Sequence, residues 1–248
     1  LSDRITVFRD GAYVGTGTRD ELNEADVVRM MVGRSIGDLY RHEPREPGEV
    51  VLDVADLAAG GLGPTSFQVR AGEVVSMSGL VGSGRTELAR LIFGADRRET
   101  GTVLVNGKPS DPANPSNAIA DGLAMVPEDR KAEGLFLDHS VERNVSISSL
   151  ENYVSAEVVQ NRAVRQAVLE QMARLRLRKN AIDLPVRALS GGNQQKAALA
   201  RWLLRDSAVM ILDEPTRGVD IGAKREIYEL IDALARAGKA ILVISSDL

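Results

Sequence analysis

EVVSMSGLVGSGRTELARLIF, residues 73–93, is the stretch on which the fold turns. Glu73–Ser78 is a short apolar strand, and Thr86–Phe93 spaces its apolar residues as a helix does. Between them, Gly79–Gly84 is too rich in glycine to continue either element. A strand that turns through glycines into a helix curves its backbone N–H groups around an anion and aims the helix N-terminus at the charge. Gly79, Gly82, Ser83 and Gly84 therefore read as a phosphate cradle, and Thr86 supplies a hydroxyl for magnesium. The position that holds lysine in such loops is Arg85. A planar guanidinium is bulkier than an ammonium and need not thread between β- and γ-phosphates.

Two further segments share this logic. Val209-Met210-Ile211-Leu212-Asp213-Glu214 is an apolar strand ending in two acids, and open α/β sheets bind ligands at strand C-termini. Asp213 there can hold magnesium, and Glu214 can orient or deprotonate an attacking water. Leu189-Ser190-Gly191-Gly192-Asn193-Gln194-Gln195 opens a helix over Lys196–Arg205. Its serine and glycines read as an anion site at a helix N-terminus rather than as a strong cap.

The rest of the chain alternates in the same way. Val51–Leu57 and Ser66–Val69 read as strands flanking a glycine-rich turn, and Thr102–Val105 before Asn106-Gly107 begins a hairpin. Residues 156–179 and Ala223–Ala237 read as helices, and Ala240–Ile244 as an apolar strand. Short apolar strands separated by helices predict a parallel sheet covered on both faces. Upstream, residues 4–16 alternate around Asp10-Gly11 as a hairpin, followed by a helix from about Arg19 to Met31. These roughly 33 residues are too few to bury a core of their own. Residues 34–50, with two prolines and mixed charge, read as a linker, and both chain ends look cut from something longer.

Composition bounds the function. With 248 residues the chain holds one or two domains, and 44% hydrophobic with 27% charged residues suffices for a sizeable core. A net charge of −4 argues against coating nucleic acid by charge. The absence of cysteine excludes disulfides and thiolate chemistry. The longest apolar runs are about five residues, against about 20 for a membrane span. His42 reads as solvated, His139 as a surface or packing residue, Trp202 as core, and Arg174, Arg176, Arg178 and Lys179 as a solvated basic cluster.

Taken together, GLVGSGRTEL, VPEDRKAEGL and LSGGNQQKAALARWL resemble the ATP-binding cassette ATPases. More narrowly, the chain resembles the second nucleotide-binding half of the tandem ATPase subunits of bacterial simple-sugar importers. The resemblance implies an α/β P-loop NTPase cassette with a parallel core sheet, an antiparallel β subdomain and a helical subdomain. Residues 1–33 would be the tail of a preceding cassette, 34–50 the linker, and 51–248 the second cassette, truncated at its C-terminus. Gly79–Thr86 resembles Walker A, Val209–Glu214 Walker B, Leu189–Gln195 the signature and Gly218-Val219-Asp220 the D-loop. Glu128 stands at the Q-loop position, Ser246 at that of the switch histidine, and no aromatic lies near Ala58–Gly60.

The implied cofactors are ATP and Mg2+, with Thr86 and Asp213 as the metal ligands. The implied partners are an upstream first cassette, a transmembrane sugar permease and, indirectly, a periplasmic or lipoprotein sugar-binding protein, at the cytoplasmic membrane face. Ser190, Gly191, Gly192 and Asn193 would complete the first cassette's site, and the Asp129–Glu133 loop would face the membrane partner. Arg85, Glu128 and Ser246 point to a weakened site. The alternatives are a degenerate, non-hydrolysing regulatory site and a cassette acting on ribosomes or DNA. Against the last, the linker is short and the stretch 86–189 leaves no room for a long coiled coil.

Overall fold

The computed structural model describes residues 2–9, 11–33, 45–80 and 82–246. β1 (Arg4–Arg9) and β2 (Ala12–Thr18) form the expected antiparallel hairpin, Arg9 opposite Ala12. α1 (Glu24–Val32) begins at Glu24 rather than at Arg19. The cause is a capping box: Asn23 Oδ1 accepts from Asp26 N at 2.9 Å, while Asp26 accepts from Asn23 N at 3.4 Å. Most of the linker, residues 34–44 with His42, lies outside the described residues. Where the chain resumes, the Arg45 guanidinium pairs with the Asp232 carboxylate.

Next come β3 (Val50–Ala59), β4 (Leu62–Arg70), β5 (Val74–Met77), α2 (Arg85–Ile92), β6 (Thr100–Val105), β7 (Lys108–Pro109), α3 (Pro115–Ala120) and β8 (Leu123–Val126). α4 (Val141–Ser146), β9 (Val154–Ser155), β10 (Val158–Val159) and α5 (Asn161–Arg174) follow. α6 (Gly191–Arg205), β11 (Val209–Asp213), α7 (Ile221–Arg236) and β12 (Ala240–Ile244) complete the strands and α-helices of the described residues.

Two four-stranded sheets result. The parallel one runs β5-β12-β11-β8, and the antiparallel one β4-β3-β6-β7. Every residue of β8, β11 and β12 is buried, as expected for parallel strands covered on both faces. β3 and β4 outrun the expected spans because β3 pairs on both sides, with β4 and β6.

The helical stretch expected over residues 156–179 is not continuous. β9 and β10 form a small hairpin, turned by Ala156 and Glu157 at φ 50° and 63°. Valines at 154, 158 and 159 favour paired strands there. Only Asn161–Arg174 is helical, and Arg176 at φ 55° turns the chain away. α6 starts five residues ahead of Lys196, because Ser190 caps it by accepting from Asn193 N at 3.5 Å. The serine read as an anion contact is thus also a cap. Trp202 is buried as expected and meets Phe93 edge-on, ring centroids 6.1 Å apart, which ties α6 to the end of α2.

Behind α6, burial pushes the Arg201 guanidinium down to about 10. Its Nε donates to Asn144 O at 2.8 Å, and Asn144 in turn fastens the 136–140 loop through bonds to Phe136, His139 and Ser140. A buried cation held by carbonyl dipoles pins the helical region onto α6.

Candidate functional site

The first turn of any helix leaves N–H groups without intrahelical partners. In α1, α3, α4, α6 and α7 the side chains of Asn23, Asn114, Ser140, Ser190 and Asp220 take one of them. α2 opens on Gly84, at φ 89°, and like α5, which opens on Gln160, has no side-chain cap. Its N-terminus faces outward beside Gly82, where a Cβ would meet nothing within 4 Å, so an anion can approach the backbone.

Beneath this loop, Thr86 Oγ1 donates to Asp213 Oδ2 at 2.7 Å. Asp213 ends β11 with no exposed surface, and its Oδ1 is buried without a hydrogen-bond partner. Burial pushes its carboxyl above the ordinary carboxylate range, the Thr86 hydroxyl opposes this, and the neighbouring Glu214 adds to it. A buried hydroxyl–carboxylate pair with one oxygen uncommitted suits a hard divalent cation that keeps water and phosphate as its other ligands. Mg2+ therefore fits the residues present. Glu214, at φ 46°, is a non-glycine residue in the left-handed region, held there by its N–H donating to Ile244 O at 2.9 Å. A non-glycine residue held there stores about 1–3 kcal/mol of strain, which makes this turn a candidate for function.

Arg85 does not point freely at the loop: its Nη1 donates to Ser245 O at 3.0 Å. Ser246, just beyond β12, is exposed beside that carbonyl. The structure thus gathers Gly79, Gly82, Ser83, Gly84, Arg85, Thr86, Asp213, Glu214 and Ser246 at the C-terminal ends of β5, β11 and β12.

Ser190, Gly191, Gly192 and Asn193 belong to a second cluster. A Cβ on Gly191 would stand 3.0 Å from both Arg130 Nη2 and Gly218 O, and one on Gly192 would stand 2.6 Å from Ala223 Cβ. Asp220 caps α7 by accepting from Ala223 N at 2.9 Å, so that side chain has a structural task at this same junction. Glu128 is half-buried and ion-paired to Arg217. No hydrogen bond or ion pair among the described residues joins Ser190–Asn193 to Gly79–Thr86.

Two features escaped the sequence reading. Arg130, grouped there with a loop facing a membrane partner, reaches inward: Nη1 donates to Arg217 O at 2.8 Å and Nη2 to Gly218 O at 3.4 Å. Burial lowers its basicity. The only signal was its place in a charged run, which reads as solvated. The second feature is a cleft of about 500 Å3 between the Ala59–Leu62 turn and Gly82–Gly84; its walls carry no aromatic residue, in line with the sequence around Ala58–Gly60.

Residues 62–217 match the family model described as ABC transporter. The chain is 48% identical over 249 residues to the putative ribose/galactose/methyl galactoside import ATP-binding protein 1 of Rhizobium meliloti (strain 1021), covering 100% of this chain and 50% of that protein. It is 47% identical over 246 residues to the ribose import ATP-binding protein RbsA 1 of Streptomyces coelicolor, covering 99% and 49% respectively. The chain thus spans about half the length of the curated relatives it matches. Among solved structures, a dimeric bacterial ABC transporter cassette superposes with a TM-score of 0.68 at 22% identity, covering 79% of this chain and 88% of that one. An ATP-binding cassette of an ABC transporter in its ADP conformation gives 0.66 at 20% identity, covering 80% and 82%. With a family model matched over more than half its length on the fold just described, this chain belongs to the ABC transporter family.

Proposed function

We propose that this chain is the ATP-binding, energy-coupling part of a bacterial importer for a monosaccharide. The observation that carries the reading is the uncapped N-terminus of α2 above the Thr86–Asp213 pair. The relatives' names, which specify ribose or galactose import, supply the substrate class. Among the described residues no helix is long and apolar enough to cross a membrane. As the resemblance to sugar importers implies, transport would run through a separate permease, with this chain at the cytoplasmic face and a sugar-binding protein beyond.

Gly79, Gly82, Ser83, Gly84 and the first turn of α2 would bind the phosphates, and Glu214 would orient and deprotonate the water. Mg2+, held by Thr86 and Asp213, would neutralise phosphate charge. Ser190–Asn193 would act on the site of another cassette, since nothing ties them to their own loop. We assign residues 1–33 to the tail of a preceding cassette, 34–50 to a linker and 51–248 to a second cassette. Phe8 and Tyr13, more than 60% exposed on the hairpin, support this, as does the doubled length of the relatives.

Arg85 also favours the second reading, a site that binds but barely hydrolyses. Its guanidinium is committed to Ser245 O, and Glu128 to Arg217. The two readings agree on binding: calorimetry of the 248-residue chain should give a micromolar to millimolar Kd for Mg-ATP, about 4–8 kcal/mol. Turnover should stay well below the roughly 1–100 per second of kinases. Absence of both heat and a thermal shift at several millimolar ATP would overturn the proposal, and fast turnover would exclude the weakened site.

A further inference from the structure

If the phosphates lie on Gly82–Thr86, a nucleotide's base must lie farther along the same cleft, against the Ala59–Leu62 turn and the segment that follows α2. This inference rests on the nucleotide reading above. Gly60 and Gly61 leave that side open, for a Cβ on either would meet nothing within 4 Å. A purine needs a flat or polarisable surface to lie on, and no wall residue is aromatic.

The charged wall residues differ in their commitments. Asp96 is taken by Arg90, with Nε at 2.6 Å and Nη2 at 3.2 Å. Glu99 accepts from Gly60 N at 3.3 Å, fastening the turn itself. Arg97, between them in sequence, is exposed on the cleft wall, and among the described residues it makes no hydrogen bond or ion pair. A guanidinium is planar, weakly hydrated and cationic, so it stacks on an aromatic ring from outside, where a lysine offers only a point charge. We propose that Arg97 is the base-stacking residue of this cleft, a positioning residue that holds the purine in place of an aromatic side chain.

The test is calorimetric affinity of the 248-residue chain and its Arg97→Ala and Arg97→Lys variants for Mg-ATP and for inorganic tripolyphosphate. Arg97 is exposed, so unchanged thermal unfolding should accompany both substitutions. Loss of a partly desolvated cation–π stack should weaken ATP binding by about 5- to 30-fold. Arg97→Lys should recover less than half of that loss on a logarithmic scale, and tripolyphosphate affinity should change by less than about twofold in either variant. Equal weakening of ATP and tripolyphosphate, or full recovery by lysine, would make Arg97 a phosphate cation and overturn the assignment. Unchanged ATP affinity in Arg97→Ala would overturn it too. Failure of the unmodified chain to bind ATP would instead overturn the nucleotide reading, and this inference with it.

Discussion

Asp213→Asn is expected to make the metal-free, ligand-free chain more stable at neutral pH, while abolishing the Mg2+ dependence of ATP binding. The carboxylate is fully buried, accepts one hydroxyl and leaves Oδ1 without a partner. Burial raises its pKa, so between the ordinary carboxylate value and the raised one the folded chain holds more protons than the unfolded chain. Stability then falls as pH rises through that window, and above it the buried charge is a standing penalty. Asparagine keeps the shape and can still accept from Thr86, but it carries no charge. A gain of roughly 0.5–2 kcal/mol, or about 1–8 °C in Tm for a chain of this size, is the scale seen when a destabilised functional group is neutralised. Urea melts at pH 8 and near pH 4 check the sign: the advantage of asparagine should shrink at the lower pH, where aspartate also becomes neutral. In parallel, Mg2+ should tighten ATP binding in the parent and not in the variant. A variant less stable than the parent at pH 8 would show that other groups hold the carboxylate.

In the two-cassette transporter proposed above, Ser190→Ala and Gly191→Asp should damage sugar-stimulated ATPase more than Arg85→Ala does. Removing a donor aimed at developing charge costs about 2.7–4 kcal/mol, or 100- to 1,000-fold in rate. Ser190 tests this cleanly, because its capping bond to Asn193 N is long at 3.5 Å and its loss should cost the fold only about 1 kcal/mol. Gly191→Asp should be worse. It sets a negative charge where phosphate must approach, and its Cβ would crowd Arg130 Nη2 and Gly218 O, each 3.0 Å away. Arg85 is tied to Ser245 O, and Glu128 and Ser246 stand at the other altered positions of the proposed site, so its truncation should cost less. Reconstituted ATPase measured side by side decides the matter. If Arg85→Ala is the most damaging, the main catalytic site lies in this chain and the division of labour proposed here is wrong.

Read from the sequence alone, residues 73–93 and 209–214 carried the element types and the end of the sheet at which the candidate site lies. Local periodicity encodes burial, and the wholly buried β11 and β12 are wholly apolar or nearly so in sequence. The same pattern-reading failed at the β9–β10 hairpin, whose Ala156-Glu157 turn lacks the asparagine or glycine that announces positive φ. It failed at the start of α6 as well, because glycines after Ser190 conceal a helix until the cap is seen.

What only the tertiary structure decided is which side chain meets which. Thr86 and Asp213 are 127 residues apart, and Arg85 and Ser245 are 160 apart. No local propensity records such pairings: they arise when parallel strands, joined through long crossovers, bring their C-terminal ends side by side. The sequence determined that this chain has a phosphate-type loop, an acidic strand end and a glycine-rich helix start. The packing decided that the first two form one site, that Arg85 is tethered to the end of β12, and that the third stands with Gly218 and Asp220 instead. Close approach of Gly218 O to Gly191 and of Ala223 Cβ to Gly192, which no one-dimensional pattern encodes, is the physical reason for that last placement.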